Sequence, residues 1–316
     1  MRQSVSDGVT ANINLSQSEV PPVRREMALK DGTISYLEWK ARENLPVLHF
    51  AHANGFNAMT YRHVLGPLAS HFHIRAWDAR GHGFTKLPTD PANHANWNVY
   101  RDDLIACIEP LVAETGGPIL LSGHSMGGTT GLMVAAERPD LVRGLVLVDP
   151  VMIPRYAYML MRLFRLVGRK GGPLSLADGA ERRRAVFADR ATMAAAYKGR
   201  GAFRTWPDEM IADYVDGGAL DLADGQVGLA CAPAWEAANF RAHGHNVWSA
   251  LGKLTVPLTL LYAGRDSTCR APAPQIFGQR DPQANLLRLG QASHFIPMEF
   301  PDVVRREMRA LDARLG

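Results

Sequence analysis

The most constraining feature is the stretch PILLSGHSMGG at 118–128, which places Gly123 and Gly127 two residues on either side of Ser125. An apolar run precedes the motif, and TTGLMVAAER at 129–138 follows it with helical character. A serine on a sharp strand-to-helix turn needs small neighbours, because larger side chains would prevent the turn from closing. The pattern predicts a buried strand, a tight turn that exposes the Ser125 hydroxyl, and a helix whose first N–H groups face a developing negative charge.

Short apolar runs alternate with helical patterns along the rest of the chain. The runs that we interpret as strands are 34–39, 45–51, 72–77, 144–148, 256–263 and 285–289. Such alternation is typical of an α/β protein with a mostly parallel, doubly wound sheet and right-handed crossovers.

The pattern changes after Pro150, which suggests how the chain is divided. Residues 151–245 contain short helical stretches and several Gly/Pro breaks but no clear buried strand. We expect them to form a helical cap, inserted between strands 6 and 7 and lying over the carboxyl ends of the strands. The core is then expected to comprise residues 25–150 and 246–316, preceded by a polar N-terminal extension at 1–24.

The composition argues against several classes of partner. The 316 residues carry a formal net charge of +4, dispersed along the chain, so we expect no nucleic-acid binding. No apolar run is long enough for stable membrane insertion. The cysteines Cys107, Cys231 and Cys269 are few and far apart, which indicates no disulfide framework and no metal site. We expect a cytoplasmic monomer or homodimer without a cofactor.

A serine nucleophile needs a base, and the base needs an acid to orient it. His294 follows the last predicted strand and is our candidate base. Two residues are candidates for the acid, because Asp266 and Asp149 each follow a predicted strand. We favour Asp266 for its position in the loop, since Asp149 also fits a turn-forming residue before Pro150.

The oxyanion formed on attack needs two backbone N–H donors. One is expected from Met126, directly after the nucleophile, and the other from the loop HANGF at 52–56. Asn54 is our choice in that loop, with Phe56 as the alternative. The neighbouring histidines His52 and His82 are expected to brace loops by hydrogen bonding.

Taken together, the chain resembles the α/β-hydrolase superfamily from about residue 34 to its end. The motifs that carry the resemblance are HANGF at 52–56, DARGHG at 78–83, GHSMGG at 123–128, GRD at 264–266 and SHF at 293–295. The resemblance implies a Ser125–His294–Asp266 triad and a cap. It also implies that Asn54, two residues after His52, supplies an oxyanion donor. Relatives that open epoxides or remove halides use an aspartate nucleophile, so Ser125 argues against both activities.

These features predict a serine hydrolase that cleaves a small-molecule, apolar carboxylic ester through an acyl-enzyme on Ser125. Two alternatives stay open on the same residues. One is hydrolysis of a lactone or of a C–C bond, and the other is a ligand-binding sensor with very low turnover. Specificity depends on the cap and on the shape of the pocket, which the sequence does not define.

Overall fold

The computed structural model describes residues 20–154, 174–242 and 244–316. Most of the predicted N-terminal extension and the first part of the predicted cap lie outside the described residues. The strands of the described part are β1 Val23–Leu29, β2 Gly32–Trp39, β3 Val47–Ala51, β4 His73–Trp77, β5 Ile119–His124, β6 Val142–Val148, β7 Val186–Phe187, β8 Ala219–Asp221, β9 Val227–Leu229, β10 Leu258–Ala263 and β11 Asn285–Leu289.

Eight of these strands form one sheet in the order β1-β2-β4-β3-β5-β6-β10-β11. Strand β2 pairs antiparallel with both β1 and β4, and every other pair in the sheet is parallel. The predicted α/β-hydrolase fold with a mostly parallel sheet is therefore confirmed. Strand β1 begins at Val23 and pairs with β2 around the predicted turn at Asp31 and Gly32, so the sheet starts inside the expected extension.

The α-helices of the described residues lie between and around the strands. They are α1 Arg62–Leu65, α2 Asn98–Thr115, α3 Met126–Glu137, α4 Leu174–Glu181, α5 Arg190–Tyr197, α6 Asp208–Gly218, α7 Pro233–Arg241, α8 Val247–Lys253, α9 Ala273–Arg280, α10 Ile296–Glu299 and α11 Pro301–Leu315. Short 3-10 helices occur at Met59–Tyr61, Gly66–Leu68 and Gly201–Phe203. Among the helices of the described ranges, none is long and apolar enough to span a bilayer.

The central strands are covered on both faces of the sheet. Every residue of β3 and β5 is buried. Along β5, Ile119 and Leu121 belong to the apolar cluster that includes α2, α3, α8 and α9, whereas Leu120 belongs to the cluster that includes α1 and α11. This two-sided burial explains why these strands are continuous apolar runs rather than alternating ones.

The chain between β6 and β10 forms an insertion, by which we mean residues 151–245. Its described part contains α4 to α7 and a small antiparallel sheet in the order β7-β9-β8. The sequence indicated helices and no clear strand here. The difference arises because each of these strands has only two or three residues, which is too short for a periodic pattern.

The sheet order also determines where a site can form. Strand β3 lies between β4 and β5. The chain leaves β3 toward β4 on one side and leaves β5 toward β6 on the other, so the two connections run in opposite directions from neighbouring strand ends. Open α/β sheets bind ligands in the crevice outside the carboxyl ends of the strands at such a switch point. The loops that begin at His52 and Ser125 both leave the sheet there.

Candidate active site

The turn between β5 and α3 places Ser125 in an unusual backbone conformation, with φ 54° and ψ −116°. The flanking glycines are required by close packing. A Cβ on Gly127 would lie 2.1 Å from the carbonyl oxygen of Ala51, and one on Gly123 would lie 2.5 Å from the carbonyl of Gly127. The structure therefore agrees with the expected strand, strained turn and helix, and gives the physical reason for both glycines.

His294 contacts the nucleophile directly. It follows β11 and precedes α10, and its Nε2 lies 2.9 Å from the Ser125 Oγ. Its Nδ1 lies 2.6 Å from Oδ2 of Asp149. A carboxylate only accepts, so Nδ1 carries the proton and Nε2 is free to accept the proton of the serine hydroxyl.

Asp149 is fully buried at the end of β6. Its Oδ1 accepts hydrogen bonds from the Ala263 N–H at 2.9 Å and the Ser267 hydroxyl at 2.5 Å, and its Oδ2 accepts one from the Thr268 N–H at 2.9 Å. Burial by itself raises the pKa of this carboxyl, but the hydrogen bond and charge interaction with His294, together with the hydrogen bonds from Ser267 and the Ala263 N–H, outweigh it. The pKa of Asp149 therefore lies below its ordinary value, and the group is ionised beside His294.

The prediction that Asp266 rather than Asp149 orients the base is wrong, because the ring of His294 contacts Asp149. Asp266 has a positive φ of 51° and an exposed side chain, which makes no hydrogen bond or ion pair within the described residues. The loop after β10 instead contributes Ser267 and Thr268, which donate to Asp149. The loop thus supports the acid that follows the neighbouring strand and does not supply the acid itself.

A second buried chain of hydrogen bonds joins the nucleophile turn to the loop after β3. The Ala53 N–H donates to the Tyr61 hydroxyl at 3.1 Å, and this hydroxyl lies 2.8 Å from Nδ1 of His124. The His124 Nε2 lies 2.8 Å from the carbonyl oxygen of His294 and donates to it. Burial lowers the pKa of His124 to about 3, so the ring is neutral. Sequence analysis did not identify Tyr61, since an aromatic residue ten positions from a strand carries no local signal.

The loop at 52–56 holds one peptide in a fixed plane. The carbonyl oxygen of Ala53 accepts hydrogen bonds from the Phe56 N–H at 3.1 Å and from Nδ1 of His52 at 2.7 Å. In a trans peptide, this fixes the direction of the Asn54 N–H on the opposite side. The N–H groups of Ala53, Gly55 and Phe56 all donate to protein acceptors, whereas those of Asn54 and Met126 have no partner within the described residues.

Two buried histidines support this loop, as expected from the sequence. Nε2 of His52 accepts from the Ala79 N–H at 2.9 Å, and Nε2 of His82 accepts from the Gly55 N–H at 3.0 Å. Burial lowers the pKa of His52 to about 4 and that of His82 to about 3. Both rings are thus neutral, with the proton on Nδ1 donated to a backbone carbonyl.

Aromatic side chains surround the base and the oxyanion loop. The ring of Phe56 lies 6.4 Å from that of His124, and the ring of Phe295 lies 5.4 Å from that of His294. From the insertion, Trp206 packs edge-on against Phe56 at 5.1 Å. The surroundings of the site are therefore strongly apolar. The described residues contain no cluster of three or more His, Cys, Asp or Glu side chains that is able to hold a metal ion.

Comparison with known proteins gives a family. A model of the α/β-hydrolase family matches residues 50–307. Among curated proteins, the chain is similar to a 2-(acetamidomethylene)succinate hydrolase of Mesorhizobium japonicum, at 34% identity over 104 residues, or 33% of this chain and 35% of the relative. It is also similar to an esterase of Mycobacterium tuberculosis, at 34% identity over 141 residues, or 44% of this chain and 43% of the relative. The chain thus spans less than half the length of these curated relatives.

The likeness to solved structures extends over nearly the whole chain. The crystal structure of an E-2-(acetamidomethylene)succinate hydrolase superposes with a TM-score of 0.73 at 21% identity, covering 93% of this chain and 100% of that one. A thioesterase domain from the curacin biosynthetic pathway superposes with a TM-score of 0.67 at 20% identity, covering 92% of this chain and 99% of that one. At these identities the likeness establishes the fold.

Proposed function

The chain belongs to the α/β-hydrolase family, and on that premise we propose that it is a serine hydrolase that cleaves a carboxylic ester through an acyl-enzyme on Ser125. The observation that carries the proposal is the unbroken series from the Asp149 carboxylate through His294 to the Ser125 hydroxyl, with contacts of 2.6 and 2.9 Å. The base is within hydrogen-bond reach of the nucleophile on one side and of the orienting acid on the other, which is the geometry that acyl transfer needs.

In the proposed mechanism, Ser125 attacks the carbonyl carbon while His294 Nε2 takes the hydroxyl proton. Asp149, in place of Asp266, orients the imidazole and stabilises its charged form. The protonated His294 then gives its proton to the leaving alcohol. In the second half, His294 activates a water that attacks the acyl-enzyme and releases the acid.

We assign stabilisation of the oxyanion to the backbone N–H groups of Asn54 and Met126. These two groups have no acceptor in the part of the chain that the structure describes, whereas neighbouring N–H groups of the loop at 52–56 are already bonded, and this difference supports the assignment. Phe56, the alternative donor, directs its N–H to the Ala53 carbonyl. A donor held in place before the reaction stabilises charge without reorganising in the transition state.

We further propose that the substrate is a small molecule with an apolar acyl group, and that the insertion acts as a cap over it. The support is the aromatic surroundings of the triad, where Phe56, Phe295 and Trp206 meet. Such a site favours apolar groups because their transfer from water is favourable.

The test is hydrolysis of p-nitrophenyl esters from acetate to palmitate by the full chain. Ser125→Ala should lower kcat by at least about 10⁴-fold, because it removes the nucleophile. Ser122→Ala is the matched control, since Ser122 lies on the same strand and its hydroxyl donates to the Val146 carbonyl in the core. It should retain activity.

The outcomes separate the hypotheses. Full activity of Ser125→Ala would place the nucleophile elsewhere. A wild-type protein that hydrolyses no ester but whose Ser125 reacts with a fluorophosphonate would exclude general esterase activity and favour a narrow lactone or C–C hydrolase, or a sensor. The chain length with the highest kcat/KM measures the size of the acyl pocket.

A further inference from the structure

Helix α7 of the insertion contacts the oxyanion loop through side-chain hydrogen bonds. Nδ2 of Asn239 donates to Oδ1 of Asn54 at 2.9 Å, and Nδ2 of Asn54 donates to the carbonyl oxygen of Glu236 at 3.1 Å. Asn239 is fully buried. Both polar atoms of the Asn54 side chain are therefore hydrogen-bonded to the insertion, and the donor of Asn54 that remains for a substrate is its backbone N–H.

Asn239 is itself held in place from the core. Its Oδ1 accepts from the Tyr100 hydroxyl at 2.9 Å, and its carbonyl oxygen accepts from Nε1 of Trp97 at 3.2 Å. With both side-chain atoms bonded, the amide is oriented unambiguously toward Asn54. Contacts from the N-terminal end of α2 in the core thus hold Asn239, which lies on α7 of the insertion, in place.

The same helix approaches the next residue of the loop very closely. A Cβ on Gly55 would lie 2.6 Å from Oε1 of Glu236. The Glu236 side chain is in turn paired with Arg183 at 2.5 Å. The loop and the helix therefore meet at two consecutive positions, first by hydrogen bonds at Asn54 and then by tight packing at Gly55.

The core holds the oxyanion loop through its backbone, through the side chain of His52 and by packing against the ring of Phe56. His52 and His82 hold the carbonyl of Ala53 and the N–H of Gly55, while the side chain of Asn54 bonds to α7. We infer that Asn239 is a positioning residue for the Asn54 N–H, so that the insertion completes the oxyanion hole as well as covering the substrate. This inference rests on the proposed function. A displacement of about 1 Å at such a donor is enough to slow catalysis strongly.

The experiment measures the rate at which an alkyl fluorophosphonate labels Ser125 in the full chain. The serine oxygen bonds to phosphorus, fluoride leaves, the hydroxyl proton passes to His294, and the phosphoryl oxygen occupies the oxyanion hole. The variants are Asn239→Ala, Asn54→Ala and the double variant, since Asn54→Ala keeps the backbone N–H. Asn246→Ala is the control, because Asn246 caps α8 by accepting from the Ser249 N–H and takes no part in the hydrogen bonds at Asn54.

Each single variant should slow labelling about tenfold, and the double variant should be no slower than the worse single one, because both remove the same contact. With a p-nitrophenyl ester, kcat should fall by the same factor while KM stays within about twofold. Asn246→Ala should lower the thermal midpoint but label at the wild-type rate. If Asn239 only stabilised the fold, the double variant would be slower than either single variant, and kcat would not fall selectively while KM stays nearly constant.

Two results would overturn the inference. If wild type is labelled and Asn239→Ala is labelled equally fast, or if the two single effects multiply in the double variant, Asn239 does not position Asn54, and the proposed function stands. If wild type neither reacts with the fluorophosphonate nor hydrolyses any ester, the proposed function fails and the inference fails with it.

Discussion

The two halves of the candidate site are supported in different ways. On the base side, Asp149 and His294 are held by the β10 loop and by His124, all of which belong to the core. On the oxyanion side, the loop after β3 is bonded to the core through its backbone and to the insertion through Asn54. Among the described residues, the side chains of Asp149 and His294 thus take their hydrogen bonds from the core, whereas the Asn54 side chain of the oxyanion loop takes its hydrogen bonds from the insertion.

This difference suggests a division of roles. A change in the insertion should leave the proton transfer between Ser125 and His294 intact and alter the stabilisation of the oxyanion. A change in the β10 loop should instead disturb Asp149 and the proton transfer, and leave the stabilisation of the oxyanion intact. The following predictions test this separation, beginning with the largest effect.

Asp149→Asn should lower kcat by about 10⁴-fold, because an amide at this position favours the wrong tautomer of His294. Ester hydrolysis measures the effect. The matched control is Asp266→Asn, which changes an exposed side chain and should leave kcat within about twofold. If Asp266→Asn loses activity and Asp149→Asn does not, Asp266 orients His294 and the described contact with Asp149 is not the catalytic one.

His82→Leu should lower kcat about tenfold with little change in KM, because the Gly55 N–H loses its acceptor and the oxyanion loop its support. Steady-state kinetics on the best ester measures this. The matched control is His49→Leu on strand β3, which is equally buried but whose two ring nitrogens lack hydrogen-bond partners in the described structure. His49→Leu should keep the wild-type kcat, and equal losses in the two variants would mean that kcat responds to removal of any buried imidazole rather than to loss of the loop contact.

The smallest expected effect concerns stability at His49. His49→Leu should raise the free energy of unfolding by about 1 kcal/mol near pH 7.5, since it removes buried nitrogens without partners. Burial lowers the pKa of His49 from 6.5 to about 3. The folded state therefore binds fewer protons than the unfolded state between these values, and the wild-type protein loses stability as the pH falls below 6.5.

The gain from His49→Leu should consequently widen as the pH decreases, by about 1.4 kcal/mol for each pH unit below 6.5. Denaturant unfolding at pH 7.5 and pH 5.5 measures it. A gain that is identical at both values would show that His49 is not held neutral in the folded protein.

Much of the candidate site follows from the sequence because its signals are local. Ser125 and Met126 lie within one motif, and His294 is placed by the strand that precedes it and the helix that follows. Asn54 is chosen from its position after a buried strand, and its role as an oxyanion donor stays a prediction. In each case the residue type, the flanking glycines or the neighbouring strand and helix are close in sequence to the predicted residue.

The orienting acid does not follow from the sequence, because Asp149 and Asp266 occupy equivalent places after adjacent strands. Only the three-dimensional path of the β10 loop decides between them, by directing Ser267 and Thr268 at one carboxylate. Asn239 was not identified for a similar reason. It lies 185 positions from Asn54, and nothing in the local pattern of α7 indicates a contact with the loop.

The backbone of Ser125 has a consequence for how such a protein can evolve. Its positive φ is a conformation that glycine adopts without penalty and that costs other residues about 1–3 kcal/mol. Replacement of the nucleophile by glycine would relieve this strain and abolish the chemistry in the same step. Selection for stability alone therefore leads away from catalysis, and an inert ligand-binding descendant lies one substitution from the enzyme.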